Sequence, residues 1–264
     1  MAHVLEMQGR VDEGVAFLEA RRPEWSDNNA FVDHNAWHLA LYHLERGETE
    51  RVLALYDTHV RPNPAASTAL EMVDASAMLW LLHLRGVDVG DPWRDVADSW
   101  QRAAADGFHA FNDVHAMMAF VADGRDAAAE RVIAVQEATA RTGRGIATTS
   151  ARAAGLPVCR ALQAFSRGDY WTAADLLYAV RTRAHRFGAS HAQRDILDLT
   201  LAEAAIRGGD TPLAPALAAE RIELKPASPA NRTLTARAMG MAGARNAAGR
   251  RGTAQFQDCI ILEN

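Results

Sequence analysis

Six glycines, at positions 9, 47, 86, 124, 168 and 208, each close an apolar run and open a polar turn, and they stand 38, 39, 38, 44 and 40 residues apart. The local sequences are "EMQGRVDEG", "LERGETERV", "LRGVDVGDPW", "VADGRDAAAE", "FSRGDYWTA" and "IRGGDTPLA". Glycine just past a helix takes up the left-handed cap with little strain. The runs before the glycines carry apolar residues at helical spacing, as in Trp37, Ala40, Leu41, Leu44, in Leu70, Val73, Ala77, Leu81, Leu84, and in Phe111, Val114, Met118, Val121. One helix pair cannot bury its own apolar stripe, so a near-constant interval of this size points to stacked helix pairs. Alternating β-branched segments are missing, while the helix formers alanine and leucine abound. Asp91 before Pro92 and Thr211 before Pro212 read as N-caps followed by proline at the first helical position. The expected fold is all-α, a TPR-like helical-hairpin solenoid of about six helix pairs over residues 1–242, with an irregular tail over 243–264. The stretch 142–156 lengthens one interval and is expected to form a longer loop or an extended helix start.

Composition narrows the function classes. The 264 residues are 49% hydrophobic and 23% charged, with a net charge of −5, which suits a globular chain with a large core. No unbroken apolar stretch reaches the ~18 residues of a membrane span, and the start "MAHVLEMQGRVDEG" lacks the apolar core of a signal peptide. A cytoplasmic protein is expected. Cys159 and Cys259 are too few for a disulfide framework and form no thiolate zinc motif. With a pI near 6.1 and no long basic run, neither nucleic acid nor membrane is expected as a partner. The basic stretch "RTRAHRFG" (181–188) reads as a coat on a helix end.

The segments "DHNAWHLALYHLERGETERVLALYDTHVRP", "EMVDASAMLWLLHLRGVDVGDPWRDV", "FNDVHAMMAF", "GLPVCRALQAF" and "SHAQRDILDLTLAEAA" with "ERIELKP" resemble, in this order, the tetratricopeptide repeat protein 38 family, across roughly residues 2 to 240. The resemblance implies an α-helical repeat fold related to tetratricopeptide repeats and leaves activity open. Members of that family carry further repeats ahead of the segment matching "AHVLEMQGR", with another histidine just upstream of the one matching His3. The first helix pair here is therefore expected to lack a stacking partner and to offer a surface for self-association.

Polar residues recur at fixed offsets from the glycines. His38, His115 and Cys159 lie nine residues before theirs, Asp74 and Asn112 twelve, and His34 thirteen. These offsets share one helical flank, and the first helices of successive pairs line the concave side of a solenoid. A histidine beside an apolar stripe commonly makes one hydrogen bond and nothing more. The spacing H-x-x-x-H of His34 and His38 also puts two imidazoles within reach of one metal, though without the glutamate of a metalloprotease. Asp74 and His115 are the candidates to complete a set for a divalent metal such as zinc, iron or manganese. Asp33 reads as an N-cap or outer acceptor.

Ser190 and Gln193 fit a capping box rather than a hydrolase triad with His191 and Asp195. Arg194 and Asp195 are candidates for an inter-helix ion pair or for an anion contact in the groove. Trp37, Trp80, Trp93, Trp100 and Trp171 read as packing residues, and Cys159 as an inert core thiol. The leading reading is a scaffold binding a protein, peptide or small-molecule ligand in a groove lined by His34, His38, Asp74, Asn112 and His115, with Arg194 and Asp195 beside it. The alternative is a metal-dependent enzyme that uses His34, His38, Asp74 and His115.

Overall fold

The computed structural model describes residues 1–25, 32–63, 68–103, 109–142, 144–188 and 190–241. Helices run Ala2–Met7 (α1), Val11–Glu19 (α2), Val32–Glu45 (α3), Thr49–Leu55 (α4), Ala69–Leu84 (α5), Pro92–Ala103 (α6) and Ala110–Ala122 (α7). They continue with Asp126–Thr142 (α8), Gly145–Ser150 (α9), Leu156–Ser166 (α10), Tyr170–Val180 (α11), His191–Arg207 (α12), Leu213–Leu224 (α13) and 229–241 (α14). No strand occurs among the described residues, so the all-α expectation is met. The tail 243–264, with Cys259, lies outside the described residues.

Gly9, Gly47, Gly86, Gly124 and Gly168 all take positive φ, between 67° and 77°. The sixth position departs from the pattern. Gly208 stays right-handed as the cap of α12, and Gly209 makes the left-handed turn at φ 72°. Gly208 serves close approach instead, since a Cβ there would sit 3.2 Å from the Tyr170 Cβ. The next helix is capped by Asp210, whose Oδ1 accepts from Leu213 N–H at 2.9 Å, in place of the expected Thr211. Asp91 does precede a helix that begins at Pro92. The irregular stretch near 150 is an extended helix start, in which α9 passes through a wider π turn, Ala151–Gly155, into α10. The basic stretch forms a 3-10 helix, Arg181–Phe187, and Arg183 donates to the Ala179 carbonyl at the end of α11.

α5 is buried at every position from Met72 to Leu82, and α3, α6, α7 and α12 all pack on it. Across the inner face, Trp80 Nε1–H donates to Thr200 Oγ1 of α12 at 3.0 Å. α12 also packs on α1, and Lys225 at the end of α13 pairs with Glu6 of α1 at 2.5 Å. At the start of α14, Ser228 and the Ala230 amide both bind the Glu45 carboxylate at the end of α3. The first helix pair therefore has a neighbour supplied by α12 and the end of α13, contrary to expectation, although Val4 and Met7 stay exposed. Trp37, Trp80, Trp93 and Trp100 are buried as expected. Trp171 is 55% exposed, because Ala173, Ala174, Leu177 and Val180 form the inner face of α11.

α2 and α3 pack closely over a glycine: a Cβ on Gly14 would fall 2.1 Å from Tyr42 Cζ. Gly14→Ala is expected to displace that ring and to lower stability by about 1–3 kcal/mol. Gly240→Ala meets nothing within 4 Å in 229–241 and is expected to be neutral or stabilising by up to ~1 kcal/mol. Urea denaturation of both variants checks this; equal stabilities would refute the close packing of α2 on α3.

Candidate metal centre

α5 carries Asp74 near the start of its buried stretch, fully shielded from solvent. α3 packs on α5 and brings His34 to it, so that His34 Nδ1–H donates to Asp74 Oδ2 at 2.8 Å. The ring lies parallel to Trp37, with centroids 5.5 Å apart. A carboxylate on Nδ1 fixes the tautomer and aims Nε2 outward, the arrangement that prepares an imidazole for a metal. One turn on, His38 projects beside it, the two rings 4.8 Å apart and edge to face. Tyr42, a further turn along α3, donates from its hydroxyl to the Ala2 carbonyl at 2.7 Å. That bond lays α1 along α3 and delivers His3, whose Nε2 lies 3.2 Å from His38 Nε2. One nitrogen from each of His3, His34 and His38 lies within 4.8 Å of the others.

The electrostatics favour neutral rings with free lone pairs at His38 and His3. Burial, then the neighbouring His34 and His3, push His38 down to about 3. His3 is lowered by burial and by His34. At His34 burial acts in the same direction, but the hydrogen bond and charge of Asp74 outweigh it and raise the group. Burial raises Asp74, and His34 offsets only part of that cost. Asp74 Oδ1 and His38 Nδ1 are buried without a hydrogen-bond partner. A dication on the far side of His34 would supply the positive charge that this carboxylate lacks. For a tetrahedral ion with metal–nitrogen bonds of ~2.0–2.1 Å, two ligand nitrogens lie about 3.3 Å apart. The His3–His38 separation is already close to that value. The set suits a first-row divalent ion with a fourth position left for water or a ligand. His34 keeps 16% of its side chain exposed, so solvent reaches the cluster.

The sequence-based set needs two corrections. His115 does not join the cluster: it is buried on α7, donates from Nδ1 to the Phe111 carbonyl at 2.7 Å and packs on the Phe111 ring. α5 stands between α3 and α7 and packs on both. Each helix step is about 8–10 Å, so a flank shared by alternate pairs cannot close on one ion. Asp74 is the partner of a ligand rather than a member of the three-nitrogen group. His3 takes the place given to His115. It lies six residues before Gly9, off the offsets of nine, twelve and thirteen, and nothing in its own spacing joins it to His34 and His38. Asn112 is half-buried on α7, outside the cluster. Asp33 lies beside Glu71, and burial together with that carboxylate raises it.

Arg194 and Asp195 face different surroundings. Arg194 reaches the Gly188 carbonyl at 3.3 Å. Asp195 is gripped by both nitrogens of the Arg221 fork, at 2.6 and 2.9 Å, an ion pair between α12 and α13. Burial alone would raise Asp195, but Arg221 holds it at about 2. Asp195 borders a cavity of about 530 Å³ between α3, α5, α12, α13 and α14. On the same wall Arg207 and Arg237 both pair with Glu203, and Lys225 pairs with Glu6. Ser190 and Gln193 form the capping box of α12. Burial raises the Cys159 thiol well above its usual range, in keeping with an inert core residue.

No family model matches the sequence, and no solved structure matches the fold. No described helix is long and apolar enough to cross a membrane.

Burial holds His115 at about 4, below the 6.5 of an exposed imidazole, despite its bond to the Phe111 carbonyl. As pH falls, the unfolded chain therefore takes up this proton first. Stability is full above about 6.5 and is lost as pH falls towards 4. His115→Gln is expected to show a smaller loss of stability between pH 7 and pH 5 than the parent chain, read from urea midpoints. An equal or steeper loss in the variant would contradict the buried, neutral assignment.

Proposed function

We propose that the chain is a cytoplasmic, tetratricopeptide-like array of helix hairpins, related to the tetratricopeptide repeat protein 38 family. Its function in this reading is to hold one divalent transition-metal ion on His3, His34 and His38. The observation that carries the reading is the convergence of three imidazole nitrogens within 4.8 Å, one of them already oriented by a buried carboxylate. Three protein ligands with a free position is the count of metal sites that polarise a water or ligand oxygen, whereas structural zinc sites use four. Asp74 would set the orientation and basicity of His34. The regular left-handed glycines support the repeat kinship. A binding scaffold is the second reading, favoured by the cavity of about 530 Å³. A small ligand suits it better than a helical peptide, because α12 packs on α5 across the inner face.

Protein purified without a histidine tag and titrated with zinc in a calorimeter is expected to bind one ion per chain. His3→Ala and His38→Ala should each abolish stoichiometric binding, and His115→Ala should leave it intact. Asp74→Asn should weaken binding about 10–100-fold. His3 is the most exposed of the three, so its variant is expected to keep the helical circular dichroism of the parent. No binding by the parent chain, or full binding by folded His3→Ala, would overturn the proposal.

A further inference from the structure

The cavity between α3, α5, α12, α13 and α14 lies at the opposite end of α3 from His34 and His38, bordered there by Leu44, Glu45 and Arg46. Its apolar wall comes from Leu41, Leu44, Leu81, Leu84, Leu199 and Leu234. Four of its basic side chains are held in the ion pairs already described, and a fifth, Arg46, is turned to Asp12. Arg85 differs from all of these. It caps the end of α5, and among the described residues the one hydrogen bond of its guanidinium is a long one, 3.5 Å, to the Leu81 carbonyl of its own helix. No carboxylate among the described residues forms an ion pair with it. Glu45, whose charge acts on it, is taken by Ser228 and the Ala230 amide.

Crowded by neighbouring side chains and without an ion-pair partner, an arginine is costly. Burial lowers the Arg85 pKa, and the positive charge of Arg221 lowers it further, against Glu45, Glu203 and Asp195. Arg85 is nonetheless an exposed residue and lines the cavity, where an entering anion can reach it. A planar guanidinium matches a carboxylate with two parallel hydrogen bonds. The leucines would then line the rest of such a molecule, in a volume within the ~300–1,000 Å³ usual for small-ligand pockets.

We propose that this cavity is a binding site for a small amphipathic carboxylate, with its head on Arg85 and its apolar body against the leucines of α3, α5 and α12. The site uses a residue set distinct from the histidine cluster, although Tyr42 of its wall also holds α1 through Ala2.

The test is calorimetric titration of the full chain with decanoate, decanol and inorganic phosphate. Decanoate is expected to bind saturably at one site per chain, and both decanol and phosphate at least about tenfold more weakly, since each lacks one half of the recognised molecule. Arg85→Leu should weaken decanoate about 10–100-fold while leaving decanol unchanged, the loss of one charge-assisted contact. Leu199→Trp, on the half-buried wall, should block decanoate with the helical circular dichroism retained. His3→Ala should bind decanoate as the parent does, which separates failure of this site from failure of the metal centre. Absence of decanoate binding, decanol binding as tight as decanoate, phosphate binding as tight as decanoate, or an unchanged affinity in folded Arg85→Leu would each overturn the proposal.

Discussion

α5 has no face to give to water, and the rest of the molecule is arranged to enclose it. A helix apolar all round must be surrounded, and every residue from Met72 to Leu82 is buried. Helix pairs stacked in an open arc would leave one side of it facing the concave surface. Exposing three or four large side chains there would cost about 5–12 kcal/mol, as much as the whole stability of many domains. α12 removes that exposure by packing across the inner face, with the Trp80–Thr200 hydrogen bond satisfying the one polar atom of the tryptophan. The contacts that tie α13 and α14 to α1 and α3 follow from that closure.

Asp74 is the one charged residue in this buried stretch, and the candidate site grows out of it. A carboxylate with no solvent needs a partner, and α3, the neighbour of α5, supplies His34. Once His34 is fixed, the i,i+4 spacing brings His38 alongside, and the Tyr42–Ala2 bond adds α1 with His3. Packing thus forces three imidazoles together where protonation of one penalises the others. The cavity at the other end of α3 is the residue of the same closure. There the charged ends of several helices meet, and their ion pairs leave Arg85 over.

Much of the fold was legible in the amino-acid sequence. The glycine period, the apolar stripes and the Ser190 capping box depend on local backbone preferences, which act within a turn or two of helix. The slip from Gly208 to Gly209 shows the limit of that reading, because close approach to Tyr170 decided between two adjacent glycines. Closure of α12 onto α5 and α1 was not legible, since nothing local to either segment encodes how far the stack coils. The site was half legible for the same reason. His34 and Asp74 sit on helices that touch, so a shared flank put them together. His115 shares that flank but lies beyond α5, and His3 meets His38 only through the docking of α1.

The central claim is that His3, His34 and His38 form one centre, with Asp74 behind His34. Crystals of the protein soaked with zinc and measured at the zinc absorption edge test it most directly. The account predicts a single strong anomalous peak ~2.0–2.1 Å from a ring nitrogen of each of the three histidines, with Asp74 still bonded to His34 Nδ1. An anomalous peak placed elsewhere, or three histidines with no peak between them, would contradict it.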